Sequence, residues 1–267
     1  MPHSFFRITS PSPDSPFVAA AIHDGHQVRE ELLPLFKLPE QERLREEDPF
    51  TASWATIAPT QIIGLRSRFE VDLNRPRVLA VYQRPEDAWG LEVWQAKLEP
   101  EVLDQSLELY DAFYREVRQV LSRLVEQHGY VVIYDLHTYN HKREGPAGPP
   151  ADPAGNPEVN LGTANLNREL WAPVVDGFIR DLQAFDFQGR QLDVRENVKF
   201  KGGYFSKWVQ EQFGDRSCTI AIEFKKFFMD EWTGEPDQQQ IALIRQALQH
   251  TVPGMLEAGQ AVGTLNH

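Results

Sequence analysis

The sequence predicts a three-layer α/β sandwich, with helices on both faces of a mixed, mostly parallel sheet. Two segments, YVVIYDL (130–136) and CTIAIEF (218–224), are apolar at nearly every position, as in strands buried on both faces. Helical patterns alternate with strands along the chain, which is typical of α/β proteins. No internal repeat or linker interrupts this order, so we expect a single domain over residues 1–267.

The first elements are predicted from short apolar runs. FVAAAI (17–22) follows a proline-rich N-terminal segment (1–16) that we expect to be extended, and it predicts a strand. The pattern at 27–36 turns helical. RFEVDLNR (68–75) and VLAVY (78–82) have the alternating, β-branched character of strands.

The clearest helix is predicted at 101–128. Apolar residues recur there at three- and four-residue spacings, and Gly129 follows as a C-terminal stop. The remaining patterns predict helices at 165–183, 204–213 and 238–258 and a strand at 194–200.

Composition and charge exclude several classes of function. A net charge of −12 argues against a protein that grips phosphate backbones, so we expect no nucleic-acid partner. The apolar runs are too short to span a bilayer and the N-terminus lacks a secretory pattern, so we expect no membrane association and a cytoplasmic location. The single cysteine, Cys218, cannot by itself supply a thiolate cage, so any metal must be held by His, Asp or Glu.

Three histidines lie where apolar strands end, which is where α/β sheets bind ligands. His23 and His26 follow FVAAAI, and His137 ends YVVIYDLH. Neutral imidazole is a good Zn²⁺ ligand, and three protein ligands leave a position open for water. Asp135 shares a strand face with His137 and is a candidate for orienting it. In the alternative interpretation, each histidine only caps a strand or bonds a backbone carbonyl.

Glu223 interrupts the apolar strand CTIAIEF. Apolar surroundings raise the pKa of a carboxyl and cost stability unless a charged group compensates, as a metal ion and its water would. Such a carboxylate can act as general base and then as general acid. The alternative is a salt bridge to Lys225 or Lys226, and strand alternation weakens the case for Lys226.

DLNR places Asn74 and Arg75 together after a predicted strand, with Arg68 upstream. Arginine makes planar two-point contacts with carboxylates, so the motif predicts an anionic substrate. The alternative is a surface arginine paired with Asp72. The glycine pair before Tyr204 indicates either a mobile substrate contact or a simple strand-to-helix turn.

The ordered motifs IHDGH, EEDPFT, SRFEVDLNR, YDLHTYN, NLGT, KGGY and IAIEF resemble the N-formylglutamate amidohydrolase family, a relative of the zinc carboxypeptidases and aspartoacylase. The resemblance extends from about residue 17 to residue 228. It implies a zinc-carboxypeptidase-like α/β fold and a zinc-activated water that hydrolyses the formamide of an N-formyl amino acid. The roles it implies are zinc ligands for His23 and His137, catalytic carboxylate for Glu223, substrate-carboxylate binding for Asn74 and Arg75, carbonyl polarisation for Arg68 and substrate contact for Tyr204.

The third zinc ligand departs from the pattern of the relatives. Carboxypeptidase relatives have a Glu three residues after the first histidine, where this chain has His26. The ligand is therefore either His26 or a carboxylate of the acidic turn, Glu47 or Asp48. We favour His26, because it shares a turn with His23, whereas Glu47 or Asp48 could reach the metal only if their loop folded against the site.

These observations predict a zinc-dependent amidohydrolase acting on a small anionic N-acyl amino acid, with N-formyl-L-glutamate favoured. Two alternatives stay open. One is a zinc carboxypeptidase or a deacylase of other N-acyl substrates, and the other is a metal-free small-molecule binding protein on the same fold. The sequence does not indicate an oligomeric state.

Overall fold

A mixed seven-stranded sheet forms the centre of the computed structural model, which describes residues 5–9 and 14–265. Its strands are β1 (Phe6–Ile8), β2 (Phe17–Ala21), β3 (Thr60–Gly64), β4 (Val131–Tyr139), β5 (Val159–Gly162), β6 (Val194–Glu196) and β7 (Ser217–Lys225). They lie in the order β1-β3-β2-β4-β7-β5-β6. β1 runs antiparallel to β3 and β5 antiparallel to β7, whereas the other neighbours are parallel. Residues 1–4 and 10–13 of the predicted N-terminal segment lie outside the described residues.

Helices cover both faces of the sheet. They are α1 (Glu40–Glu46), α2 (Thr51–Ala55), α3 (Pro100–His128), α4 (Ala172–Ala184), α5 (Tyr204–Phe213) and α6 (Gln238–Leu265). Alternate residues of β2 enter different cores: Phe17 and Ala19 pack with α2, α4 and α6, whereas Val18 and Ala20 pack with α3 and α5. This arrangement confirms the predicted three-layer α/β fold. None of the described helices is long and apolar enough to cross a membrane.

The long apolar runs and the strongest helical patterns form the elements that the sequence predicts. β4 is buried along its whole length, and β7 is buried except near its carboxyl end. α3 ends at His128 and is followed by Gly129, whose φ of +81° is the left-handed conformation expected of a C-terminal glycine. α5 spans the predicted residues.

Predictions from short apolar runs were wrong in several places. Residues 68–75 and 78–82 form turns and a short 3₁₀ helix (Arg77–Leu79) instead of two strands. Their backbone groups bond locally, as in the bond from the Asn74 amide to the Asp72 side chain, so no ladder forms. The segment 27–36 contains a 3₁₀ helix (Glu30–Leu35), and the sequence did not predict β3 or β5.

Three other predicted elements have different bounds. The helix predicted from residue 165 starts at Ala172, the strand predicted at 194–200 ends at Glu196, and the last helix continues to Leu265. These differences leave the arrangement of the central strands intact. Because β2, β4 and β7 are neighbouring parallel strands, their carboxyl ends meet at one edge of the sheet.

Candidate active site

Two histidines and an aspartate meet at this edge. His23 follows β2 by two residues, and His137 lies near the end of β4. Asp48 comes from the turn between α1 and α2, and its amide donates to the His23 carbonyl (3.0 Å). Oδ2 of Asp48 lies 3.0 Å from Nδ1 of His137 and 3.4 Å from Nδ1 of His23. One ligand atom of each of these buried residues therefore lies within 4.8 Å of the other two.

The opposite nitrogen of each imidazole faces a second carboxylate. Nε2 of His23 lies 2.7 Å from Oδ1 of Asp72, and Nε2 of His137 lies 3.0 Å from Oδ1 of Asp135. In the neutral imidazole, a carboxylate at Nε2 favours the proton on that nitrogen and leaves the Nδ1 lone pair available for a metal ion. The contact of His137 with Asp135 is the one that strand alternation predicts. Both imidazoles are thus oriented as metal ligands are.

The three donor atoms suit Zn²⁺. A tetrahedral ion with bonds of about 2.1 Å separates its ligand atoms by roughly 3.4 Å, close to the separations of Asp48 from His23 and His137. Nδ1 of His23 is buried and has no hydrogen-bond partner within the described residues. Such an atom is costly unless another group contacts it. Two imidazoles and one carboxylate would leave a fourth position open.

Interactions among the side chains of this cluster shift the pKa values of Asp48 and His137. Burial raises the pKa of Asp48, but the hydrogen bond from His137 and the proximity of His23 outweigh it and hold this pKa well below its ordinary value. Burial lowers the pKa of His137, whereas Asp135 and Asp48 raise it to well above its ordinary value. The carboxylates therefore draw positive charge to this position, and a divalent cation would supply it.

His26 does not join this cluster, which corrects the grouping that the sequence favoured. Its Nδ1 lies 2.6 Å from Glu47 and its Nε2 lies 3.2 Å from Glu40, so both nitrogens are engaged elsewhere. The turn that the sequence left as the alternative is folded against the sheet. The two carboxylates of this turn point to different histidines: Glu47 faces His26, and Asp48 faces His23.

β7 places Glu223 beside His137, because the two residues are register partners in adjacent parallel strands. Burial raises the pKa of Glu223 to about 8, and the charge of His137 opposes the shift. The salt-bridge alternative fails, since Lys225 and Lys226 both donate to backbone carbonyls instead. Glu223 therefore lies next to the histidine cluster as a carboxyl without a lysine partner.

Asp72 connects the DLNR segment to the cluster. Besides His23, it accepts hydrogen bonds from Arg68 (2.8 Å), from the Tyr82 hydroxyl and from the Asn74 amide (2.7 Å). The predicted alternative of an arginine paired with Asp72 is therefore found, but the pair is buried and not at the surface. Arg68 is consequently fixed at the wall of the site by the same carboxylate that orients His23.

Asn74 joins the DLNR segment to the start of α5. Its Oδ1 accepts a hydrogen bond from the Phe205 amide (2.8 Å) in the first helical turn. Gly203 packs against the carboxamide so closely that a Cβ there would lie 2.2 Å from it. Tyr204, the first residue of α5, lines the cavity next to this contact. The glycine pair therefore allows a close approach of the Asn74 carboxamide to the start of α5.

Trp89 covers the two arginines of the predicted anion site. Its ring centroid lies 4.8 Å from the Arg68 guanidinium carbon and 5.9 Å from that of Arg75, distances typical of cation–π contacts. Its backbone is left-handed (φ +55°), which is unusual for a bulky residue, and its side chain is 52% exposed. The indole thus forms one wall of the site.

These residues line one cavity of about 660 Å³. Seven of its lining residues are Lys or Arg and three are Asp or Glu, although acidic residues outnumber basic ones, 39 to 27, in the whole chain. The cavity includes His23, His137, Glu223, Arg68, Asn74, Arg75 and Tyr204, and it excludes His26. Its excess of positive charge favours an anionic ligand.

Sequence reasoning missed or undervalued several residues of this cavity. Asp48 was only an alternative, because no pattern indicated that its turn folds inward. Asp72 entered only in the alternative interpretation, as the partner of a surface arginine, although its place in the DLNR motif was a signal. Trp89 and the buried Lys226 had no recognisable pattern.

Comparisons with known proteins agree with this fold. The model of the family described as N-formylglutamate amidohydrolase matches residues 15–229. The crystal structure of N-formylglutamate amidohydrolase from Ralstonia eutropha JMP134 has a TM-score of 0.72 at 16% identity, over 96% of this chain and 97% of that one. A protein of Agrobacterium tumefaciens has a TM-score of 0.64 at 13% identity, over 93% and 94% of the two chains. At these identities the two structures show the fold alone. No curated protein sequence matches significantly.

Proposed function

Because the chain belongs to the N-formylglutamate amidohydrolase family, we propose that it hydrolyses the amide of a small anionic N-acyl amino acid, with N-formyl-L-glutamate the favoured substrate and formate a product. The chain is a hydrolase acting on linear amide bonds. We further propose its substrate, a Zn²⁺ ion as its cofactor and a role for each residue of the site.

One observation carries the proposal. Glu223 lies beside His137 and lines the same basic cavity as the cluster of His23, Asp48 and His137. A carboxyl next to three inward-facing metal-type ligands is the arrangement that metal-assisted amide hydrolysis requires. A cavity that only bound an anion would need the arginines but not this group.

His23, Asp48 and His137 would hold the metal ion. When bound, Zn²⁺ supplies a Lewis acid that polarises a carbonyl oxygen and lowers the pKa of water. Asp72 and Asp135 orient the two imidazoles through their Nε2 atoms. These contacts keep the ligand geometry fixed before substrate arrives.

Glu223 transfers the proton. With its carboxylate deprotonated, it accepts a proton from the attacking water and then delivers it to the nitrogen of the leaving amino acid. The ordinary pKa of a glutamate makes it a weak base for the first step, and burial raises the pKa of Glu223. A bound cation would lower this pKa again, so Glu223 can serve in both steps near neutral pH.

The arginines bind negative charge on the substrate. Arg68 is held by Asp72 and faces the cavity, so its guanidinium is placed to stabilise the oxyanion that develops on the acyl carbon. Asn74 contacts the start of α5, where the helix dipole also favours an anion, and Arg75 lines the same cavity. We assign the substrate α-carboxylate to this place and a contact with its side chain to Tyr204.

Metal content and formate release together test the proposal. Purified protein should contain about one Zn²⁺ per chain by elemental analysis and should release formate from N-formyl-L-glutamate. A panel of N-formyl amino acids, N-acetyl amino acids and short peptides separates deformylation from deacylation and carboxypeptidase activity. Cleavage of acetylated substrates or peptides with no formate release would reject the proposed substrate, and a chain without metal would reject the mechanism.

A further inference from the structure

Lys226 is a buried lysine that lines the cavity, three residues after Glu223. Its side chain is 1% exposed. The ammonium donates to the carbonyl of Arg45 (2.5 Å) and to that of Glu47 (2.8 Å). No carboxylate of the described residues lies within ion-pair distance of it, as none of their salt bridges includes Lys226. A buried ammonium that bonds only neutral carbonyls is expensive to maintain.

The two carbonyls belong to the end of α1 and the residue after it, directly before Asp48. The last carbonyls of a helix have no partner within the helix, and a cation there satisfies them and complements the helix dipole. Lys226 therefore ties the turn that carries Asp48 to the end of β7. These two hydrogen bonds hold the turn against the sheet. Local sequence spacing does not reveal them, which made Asp48 difficult to predict from sequence.

Asp48 itself makes two further hydrogen bonds, one through its side chain and one through its backbone amide. Its Oδ1 accepts a hydrogen bond from Thr138 (3.0 Å), and its amide bonds to the His23 carbonyl. These contacts orient the carboxylate once the turn is in place, but they do not hold the carbonyls that precede it. Lys226 does so from the position directly after β7, the strand that carries Glu223.

We propose that Lys226 is a positioning residue, which holds the Glu47–Asp48 turn so that the Asp48 carboxylate meets the two histidines. This inference rests on the metal site of the proposed function. Its expected signature is a loss of metal affinity that acts through Asp48. A lysine that served only the stability of the fold would leave metal affinity in the folded protein unchanged.

The test compares Zn²⁺ affinities by competition with a chromophoric chelator. Lys226→Met keeps the volume and removes the ammonium, and it should weaken binding about 10- to 100-fold, as the loss of groups that support metal ligands does. Lys226→Arg restores a cationic donor and should recover part of the affinity. The control is Lys225→Met, because Lys225 bonds the Asn156 carbonyl (3.1 Å) outside the cavity. Its affinity should stay within about twofold of the parent.

A double-mutant cycle with Asp48→Asn identifies the route of the effect. If Lys226 acts through Asp48, the double variant should bind Zn²⁺ no more weakly than Asp48→Asn alone. Additive losses, or an unchanged affinity in folded Lys226→Met, would overturn the proposal. If Lys226→Met does not fold, Lys226→Gln, which keeps an N–H donor group but not the charge, takes its place in the same cycle.

Failure of this inference is distinguishable from failure of the proposed function. Parent protein that binds Zn²⁺ but releases no formate from any N-formyl amino acid would reject the substrate and leave the affinity test intact. Parent protein that binds no Zn²⁺ would overturn the metal site and the role of Lys226 together.

Discussion

Nε2 of His23 lies 2.7 Å from Oδ1 of Asp72, and both side chains are buried. The same carboxylate accepts a hydrogen bond from Arg68, so the residue that orients a metal-type ligand also fixes an arginine at the cavity wall. Damage to Asp72 should therefore affect metal binding and stabilisation of the transition state together.

The first prediction concerns this contact. Asp72→Asn removes the charge that favours the proton on Nε2 of His23, so Zn²⁺ affinity should fall about tenfold or more. The kcat at saturating Zn²⁺ should fall as well, because Arg68, which is assigned to the oxyanion, loses its ion-pair partner. Chelator competition and steady-state kinetics measure the two effects. Asp111→Asn, at an exposed carboxylate paired with Arg77, is the control and should change neither.

The second prediction separates proton transfer from metal binding. Glu223→Gln keeps the size of the side chain and removes the group that accepts the proton. Turnover should fall about 10²- to 10⁴-fold, whereas the zinc content of the purified protein should stay near that of the parent. Glu158→Gln, at the carboxyl side of the sheet but outside the cavity, is the control. Full formate release by Glu223→Gln would reject the assigned role.

The third prediction decides between the two candidates for the third ligand. Asp48→Asn should lose most of the bound Zn²⁺, since an amide oxygen is a much weaker ligand than a carboxylate. His26→Gln should retain it, because His26 bonds Glu47 and Glu40 instead of facing His23. Elemental analysis of both variants gives the answer. Loss of zinc from His26→Gln alone would restore the ligand that the sequence favoured.

The fourth prediction is a pH dependence of stability in metal-free protein. The pKa of Glu223 rises from an ordinary 4.5 to about 8 in the folded state, so the folded protein binds the proton more tightly than the unfolded chain does. The cost of its ionisation is absent below about pH 4.5, grows as pH rises to about 8, and is constant above that. By linkage this cost is at most about 5 kcal/mol, and water in the cavity reduces it.

Urea unfolding with a chelator present measures this effect across the same pH range. The free energy of unfolding of Glu223→Gln should exceed that of the parent by an amount that increases from pH 5 to pH 8. Saturating Zn²⁺ should reduce the difference, because a cation stabilises the carboxylate. A difference that does not change with pH would show that Glu223 is not perturbed by burial.

Much of the fold could be predicted because burial on two faces leaves a strong pattern. β4 and β7 are long apolar runs, and α3 repeats its apolar residues at helical spacing over 29 residues. The short strands β3 and β5 owe their structure to pairing with longer neighbours, which no local pattern records. The region 68–82 has β-type composition, but Asp72 bonds its side chain to a nearby backbone amide and favours turns.

The same difference between local patterns and long-range contacts explains which residues of the candidate site could be predicted. His23, His137 and Glu223 lie at or just beyond the ends of apolar strands, and the expectation that strand ends meet was enough to group them. Asp48 reaches the cluster through a turn held by Lys226, a contact between residues 179 positions apart. Local spacing cannot reveal such a contact, so it favoured His26, which is near His23 in the chain but turned away from it.

The last prediction concerns the glycine between His23 and His26. Gly25 packs directly on the backbone after β3, where a Cβ would lie 2.2 Å from the carbonyl carbon of Leu65 and 2.4 Å from the amide of Arg66. Backbone atoms cannot move aside as a flexible side chain can, so the turn that begins at His23 must shift. Gly25→Ala should therefore lower the free energy of unfolding by about 1–3 kcal/mol and weaken Zn²⁺ binding. Gly155→Ala is the matched control, since no atom lies within 4 Å of its added Cβ, and it should change stability by less than about 0.5 kcal/mol. Equal unfolding midpoints in urea for the two variants would mean that the close approach at Gly25 does not position His23.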